Sequence, residues 1–160
     1  MQTIIKPLKR NVFLAPLSRE HHDTLLFCWK INHGLRLEIK PKRIAEYCTW
    51  FFENHMKDHF QKEETAFTRI LSRDNVMIDR MFDDHEAIKA KIIELNQCAT
   101  IEGLKRLTKV VIYHVRFEER QLFQYVQEIA TNEQLRALSA DLYEKDTPNE
   151  WPDEFWVSVN

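Results

Sequence analysis

A chain of 160 residues fits one domain and is long enough to bury about two-thirds of the surface its unfolded form exposes, so a real core is available. Its formal charge of −2, with 23 basic residues interspersed among 25 acidic ones, gives no electrostatic case for a nucleic-acid or anionic-membrane partner. Two glycines and five prolines are few for this length, and 44% hydrophobic with 30% charged residues suits amphipathic helices, which predicts an all-α protein. No opening apolar run resembles a signal peptide, and no stretch approaches the roughly 20 apolar residues of a spanning helix. Cys28, Cys48 and Cys98 form no C-x-x-C pair; they read as reduced core residues, and the expected address is the cytoplasm.

Residues 1–17, with Pro7 and Pro16 flanking Val12-Phe13-Leu14, read as an extended N-terminal arm. Ser18 is a candidate N-cap for a first helix carrying Leu25, Leu26, Phe27, Cys28, Trp29 and Ile31 until Gly34 stops it. Its first turn holds two histidines. A stripe of His21, Leu25 and Cys28 turns His21 inward, whereas a stripe of His22, Leu25, Leu26 and Trp29 turns His22 inward; the first is preferred.

Pro41 opens a long second helix reaching about Leu71, whose apolar stripe through Ile44, Tyr47, Phe51, Phe60 and Phe67 is broken by His55, His59 and Glu63. His55 reads as the rim of a site, and Glu64, about 100° further round, as solvated. Asp74 is a candidate cap for a third helix over about 75–98, where His85 interrupts a face of Ile78, Met81, Phe82, Ile88, Ile92 and Leu95. Thr100 caps a fourth, whose stripe of Leu104, Leu107, Val110, Val111, Phe117 and Val126 admits His114 and Glu118. Thr131-Asn132-Glu133-Gln134 fits a capping box opening a short fifth helix through about Lys145, and an aromatic tail with Trp151, Phe155 and Trp156 packs across the bundle. The expected architecture is a single domain, an antiparallel up-down-up-down four-helix bundle over about 18–130, with the fifth helix and tail over 131–160.

The chain is organised around His59-Phe60-Gln61-Lys62-Glu63-Glu64 and its echo His114-Val115-Arg116-Phe117-Glu118-Glu119. Both read H-x-x-x-E-E, and positions i and i+4 share one helical face, so each histidine points the same way as the glutamate that follows it. A single such spacing is usually an exposed ion pair. Two copies inside core-facing stripes are different, because burying them without a metal leaves ionisable groups dry and unpaired. With one histidine from each preceding helix, the candidate metal ligands are His21, His59, Glu63, His85, His114 and Glu118. Imidazole and carboxylate donors suit a first-row transition ion, and carboxylates can bridge two. His22 remains an alternative to His21, and Glu119, five after His114, an alternative to Glu118.

The ordered set Glu20-His21-His22, His59-x-x-x-Glu63-Glu64, Asp84-His85-Glu86 and His114-x-x-x-Glu118-Glu119 resembles the hemerythrin-like HHE cation-binding family over roughly residues 12–130. The resemblance implies a four-helix bundle holding two iron ions in a carboxylate-bridged, non-haem centre, with O2, NO or peroxide as the small ligand. Oxygen-carrying hemerythrins have H-x-x-x-H on the third helix, where this chain has Lys89 four after His85, and H-x-x-x-x-D in the last motif. The set of four histidines and two glutamates is more similar to bacterial proteins that repair iron centres and to iron-sensing domains. Binding or sensing a small ligand, or handling iron, is therefore the leading expectation; a redox enzyme acting on NO or peroxide is the second. A module merely stabilised by zinc or another divalent ion is the third. The aromatic tail and the exposed face of the fifth helix are the surfaces open to a homodimer.

Overall fold

The computed structural model describes residues 9–142 and 150–158, and every regular element among them is helical. The helices are α1 (Ala15–Arg36), α2 (Pro41–Phe51), α3 (Lys57–Phe67), α4 (Val76–Gln97), α5 (Ile101–Phe117), α6 (Phe123–Ile129) and α7 (Asn132–Ala137). Helices α2 and α3 form one column through a π-helical turn at Phe52–Met56, and α5 and α6 form another through a π-helical turn at Glu118–Leu122. No helix among the described residues is long and apolar enough to cross a membrane.

Local chemistry sets most helix ends, and in places differently from the expectation. Helix α1 starts at Ala15 with Pro16 in its first turn, so Ser18 lies buried inside the helix and is not its cap. Proline favours that position because its φ is already helical and its missing N–H would have had no partner. Gly34 does not stop α1, which continues to Arg36; the left-handed residue after the helix is Glu38, at φ 57°. Gly34 is needed for closeness instead. A Cβ there would lie 2.7 Å from the Phe155 ring and 3.2 Å from Ile44. Asn75, not Asp74, caps α4 by accepting from the Met77 N–H at 2.9 Å. Thr100 caps α5 by accepting from the Gly103 N–H, and Thr131 with Gln134 forms the expected capping box. The second column ends at Phe67, short of Leu71. The fifth helix, expected to reach about Lys145, ends at Ala137 and tightens into a 3-10 turn at Leu138–Ala140, and the expected extended arm gives way to a turn at 12–14 and to α1 from Ala15; residues 1–8 and 143–149 lie outside the described residues.

Two apolar clusters fill the bundle. One joins Phe27 and Ile31 of α1, Ile44 to Phe60 of the second column, Ile88 to Leu95 of α4 and Leu104 to Val111 of α5, with Phe155 of the tail inserted. The other joins Leu14 and Leu17, Ala66 and Phe67, Ile78 and Met81, and Phe117 to Val126. The π-helical turns lie within these packed columns. Each widens the helix by one residue, with the Lys57 N–H bonded to the Phe52 carbonyl and the Phe123 N–H to that of Glu118. The second turn lets the consecutive residues Glu118 and Glu119 both reach the interior.

Gly34→Ala should destabilise the protein. Forcing the buried Phe155 ring aside costs about 1–3 kcal/mol, against about 1 kcal/mol gained in helix propensity. Urea unfolding followed by tryptophan fluorescence checks this; a midpoint above that of the parent chain contradicts it.

Candidate metal centre

Between the two apolar clusters, four columns deliver polar side chains to one place. Helix α1 supplies His21, α3 supplies His59 and Glu63, α4 supplies His85, α5 supplies His114, and the π-helical turn begins with Glu118. None of the six is more than 4% exposed. They form two groups, His21, His59, Glu63 and Glu118 on one side and Glu63, His85, His114 and Glu118 on the other. Within each group one atom from every residue lies within 4.8 Å of the others, and both carboxylates belong to both groups.

The orientation of the rings carries the chemistry. All four Nε2 atoms point to the centre: His59 Nε2 is 2.8 Å from Glu63, His85 Nε2 3.1 Å from Glu63 and 3.5 Å from Glu118, and His21 Nε2 3.4 Å from Glu63. His114 Nε2 meets Glu118. These approaches lack hydrogen-bond geometry, so the four Nε2 atoms and both oxygens of Glu63 and of Glu118 are buried without a hydrogen-bond partner. Such atoms are costly unless something pairs them. A cation does so, because lone pairs on neutral imidazole and on carboxylate are what it ligates.

All four Nδ1 atoms point outward, each to its own carboxylate: His21 to Glu119 at 2.8 Å, His59 to Glu20 at 3.2 Å, His85 to Glu64 at 2.7 Å and His114 to Asp84 at 3.1 Å. With Nδ1–H donating to a carboxylate, Nε2 is left as the lone-pair nitrogen and gains donor strength. Aromatic walls hold two of the ring planes: Phe60 stacks on His85 at 3.9 Å between centroids, and Phe123 on His21 at 5.3 Å.

Without a cation, the centre holds protons. Burial lowers the pKa of His59, but Glu63 beside it and the bond to Glu20 outweigh burial and raise it to about 10. Burial likewise opposes, and carboxylate partners reverse, the shifts of His21, His85 and His114, all of which are raised. Burial pushes Glu63 up, yet the neighbouring imidazoles, His59 foremost, hold it well below the usual carboxylate range. A proton that His59 keeps to about 10 when folded, against 6.5 otherwise, contributes stability fully below 6.5 and loses it as pH rises through about 10. The metal-free chain should therefore melt at progressively lower temperature across that window. The metal-loaded chain, whose histidines are already deprotonated at Nε2, should not share this loss. A metal-free melting temperature constant over that range contradicts the assignment.

Of the other candidates, His22 is exposed and lies outside both groups. His55 is also outside them, packed against Trp50 and Phe51. Glu119 is buried at the outer side of His21, and its carboxyl is held low, burial being outweighed by the bond from that ring. Glu64 was expected to be solvated but is bonded to His85, because α4 packs beside it. Glu20, Glu64, Asp84 and Glu119 were not read as a set. The signal was present: each is adjacent in sequence to a ligand candidate, yet serves a histidine on another helix.

Fold and site define a helical cation-binding domain. The hemerythrin HHE cation binding domain matches residues 13–126, well over half of the chain, and the chain belongs to that family. No curated protein and no solved structure matches it.

Proposed function

We propose that this protein holds two iron ions in the centre described above and binds or senses a small ligand such as O2, NO or peroxide. The observation that carries the reading is that two four-residue groups share both of their carboxylates. Each ion would take two imidazole nitrogens, from His21 and His59 or from His85 and His114, and a share of Glu63 and Glu118. That donor set suits a first-row divalent ion and does not fill an octahedral shell. When bound, the ion pair supplies a change of oxidation state and coordination positions for a small ligand.

The chain's own residues orient the donors and exclude water. A small cavity beside His21, His59 and His114 is lined by Thr24, Met56, Phe60, Ile88, Val111 and Val115. Its largely apolar wall favours a small, weakly hydrated ligand. The Thr24 hydroxyl donates to the Glu20 carbonyl. Apart from the histidines the lining thus offers no uncommitted proton donor, which supports binding or sensing over a turnover that consumes protons.

The antiparallel up-down-up-down order belongs to the same reading. It is supported by the clusters, since the start of α1 packs with the end of α3, the start of α4 and the end of the fourth column, and the opposite ends pack together. Cys28 and Cys48 are buried free thiols, whereas Cys98, expected in the core, is exposed at the end of α4; three unpaired thiols support a reducing compartment such as the cytoplasm.

Metal content by mass spectrometry, with visible spectra before and after reduction and re-exposure to air, tests the function. About two irons per chain and an oxygen-dependent charge-transfer band are expected, the stoichiometry following from two donor groups. His59→Ala and His114→Ala should each lose metal strongly. His33→Ala should not, because that ring stacks on Trp29 and bonds Arg36 away from the centre. Equal metal in all three variants contradicts the ligand set. A colourless zinc protein that unfolds on chelation would replace the reading with a metal-stabilised structural module.

A further inference from the structure

The two halves of the centre correspond in their inner ligands and in the carboxylates that hold them, and the aligned segments differ in charge at one buried position. Aligning the two H-x-x-x-E-E segments matches His59 with His114, Glu63 with Glu118 and Glu64 with Glu119, and it matches Lys62 with Phe117. Outside them, Glu20 accepts from His59 as Asp84 accepts from His114, and Glu64 serves His85 as Glu119 serves His21. In the second half Phe117 is a buried ring under the Arg80 guanidinium at 4.0 Å. Arg80 Nε stops 3.8 Å from Asp84, beyond hydrogen-bond reach, on a side chain 47% exposed.

In the first half the same register holds a cation. Lys62 is 7% exposed, and its ammonium lies 2.8 Å from Glu20 Oε1 and 3.2 Å from Asp58 Oδ2. The Glu20 carboxylate thus sits between a buried lysine and the Nδ1–H of His59. Arg10 also approaches an outer carboxylate of this half, Glu119 at 3.3 Å, but its side chain is 54% exposed and its charge is screened.

We infer that Lys62 is a positioning residue, acting through Glu20, that makes the His21/His59 half of the centre bind metal more weakly than the His85/His114 half. The inference rests on the two-metal reading above. A carboxylate bonded to Nδ1 strengthens Nε2 as a donor. A cation on that carboxylate withdraws part of the gain, and a poorly solvated lysine also repels an incoming cation. Both effects have the same sign. Phe117 exerts neither on the other half.

The test titrates the metal-free full chain with cobalt(II) under anaerobic conditions, reading visible absorption against a competing chelator. The parent chain should take up two ions in two resolved steps. Lys62→Met, which keeps an apolar stem and removes the charge, should tighten the weaker step on the order of tenfold and leave the stronger one unchanged. Lys62→Arg should preserve the separation. Asp58→Asn leaves the ammonium less compensated and should widen it, which keeps the inference testable if circular dichroism shows Lys62→Met unfolded. Two equal steps in the parent chain, or a weaker step in Lys62→Met that is unchanged or loosened, overturns the role of Lys62 while leaving the two-metal reading intact. A parent chain that takes up no cobalt overturns both.

Discussion

Every imidazole has two nitrogens, and a histidine buried in a helical bundle must satisfy both. Here all four rings divide them the same way, Nδ1 outward to a carboxylate and Nε2 inward to the shared glutamates. That division settles the tautomer, the ring plane and the direction of the lone pair together. It also dictates much of the surrounding structure. The outer carboxylates must come from neighbouring helices, and α1, α3, α4 and the fourth column each present one next to a candidate ligand.

The arrangement works against the stability of the bare fold. Buried ionisable groups cost several kcal/mol each unless well paired, and a helical bundle of this length has only a modest margin. The apolar clusters on either side make up for a centre whose own side chains are polar. Phe60 is shared between the two tasks, belonging to one cluster while lying flat on His85. The rigidity of the site is thus borrowed from the core, and the cavity beside His21, His59 and His114 is bounded largely by core side chains.

Much of this was legible in the sequence because helical periodicity converts spacing into direction. His59 with Glu63, and His114 with Glu118, had to share faces, and the stripes around them had to face inward. The choice between His21 and His22 was harder: the exposed Leu25, Leu26 and Trp29 make a second stripe on α1 that competes with the buried one. Glu64 was misread because one helix considered alone says nothing of what packs beside it. Gly34 was misread because its usual reason, a left-handed φ, is exercised at Glu38, while its actual reason, the Phe155 ring, lies far along the chain. The π-helical turns left no readable signature, since one widened turn changes no residue type.

Those widened turns bear on how such a site can change over time. Deleting one residue within Phe52–Met56 would return the second column to an ordinary α-helix, a gain in backbone regularity. Because the widened turn holds one residue more than an α-turn over nearly the same rotation, that loss would leave the two ends of the column facing as they do now. Tyr47 and Phe51 would keep their cluster and His59 and Glu63 the centre, whereas a residue lost from the regular α-helix on either side would swing one set away by about 100°. The widened turns are therefore the places where these two columns can lose a residue without turning one half of their side chains away from the other.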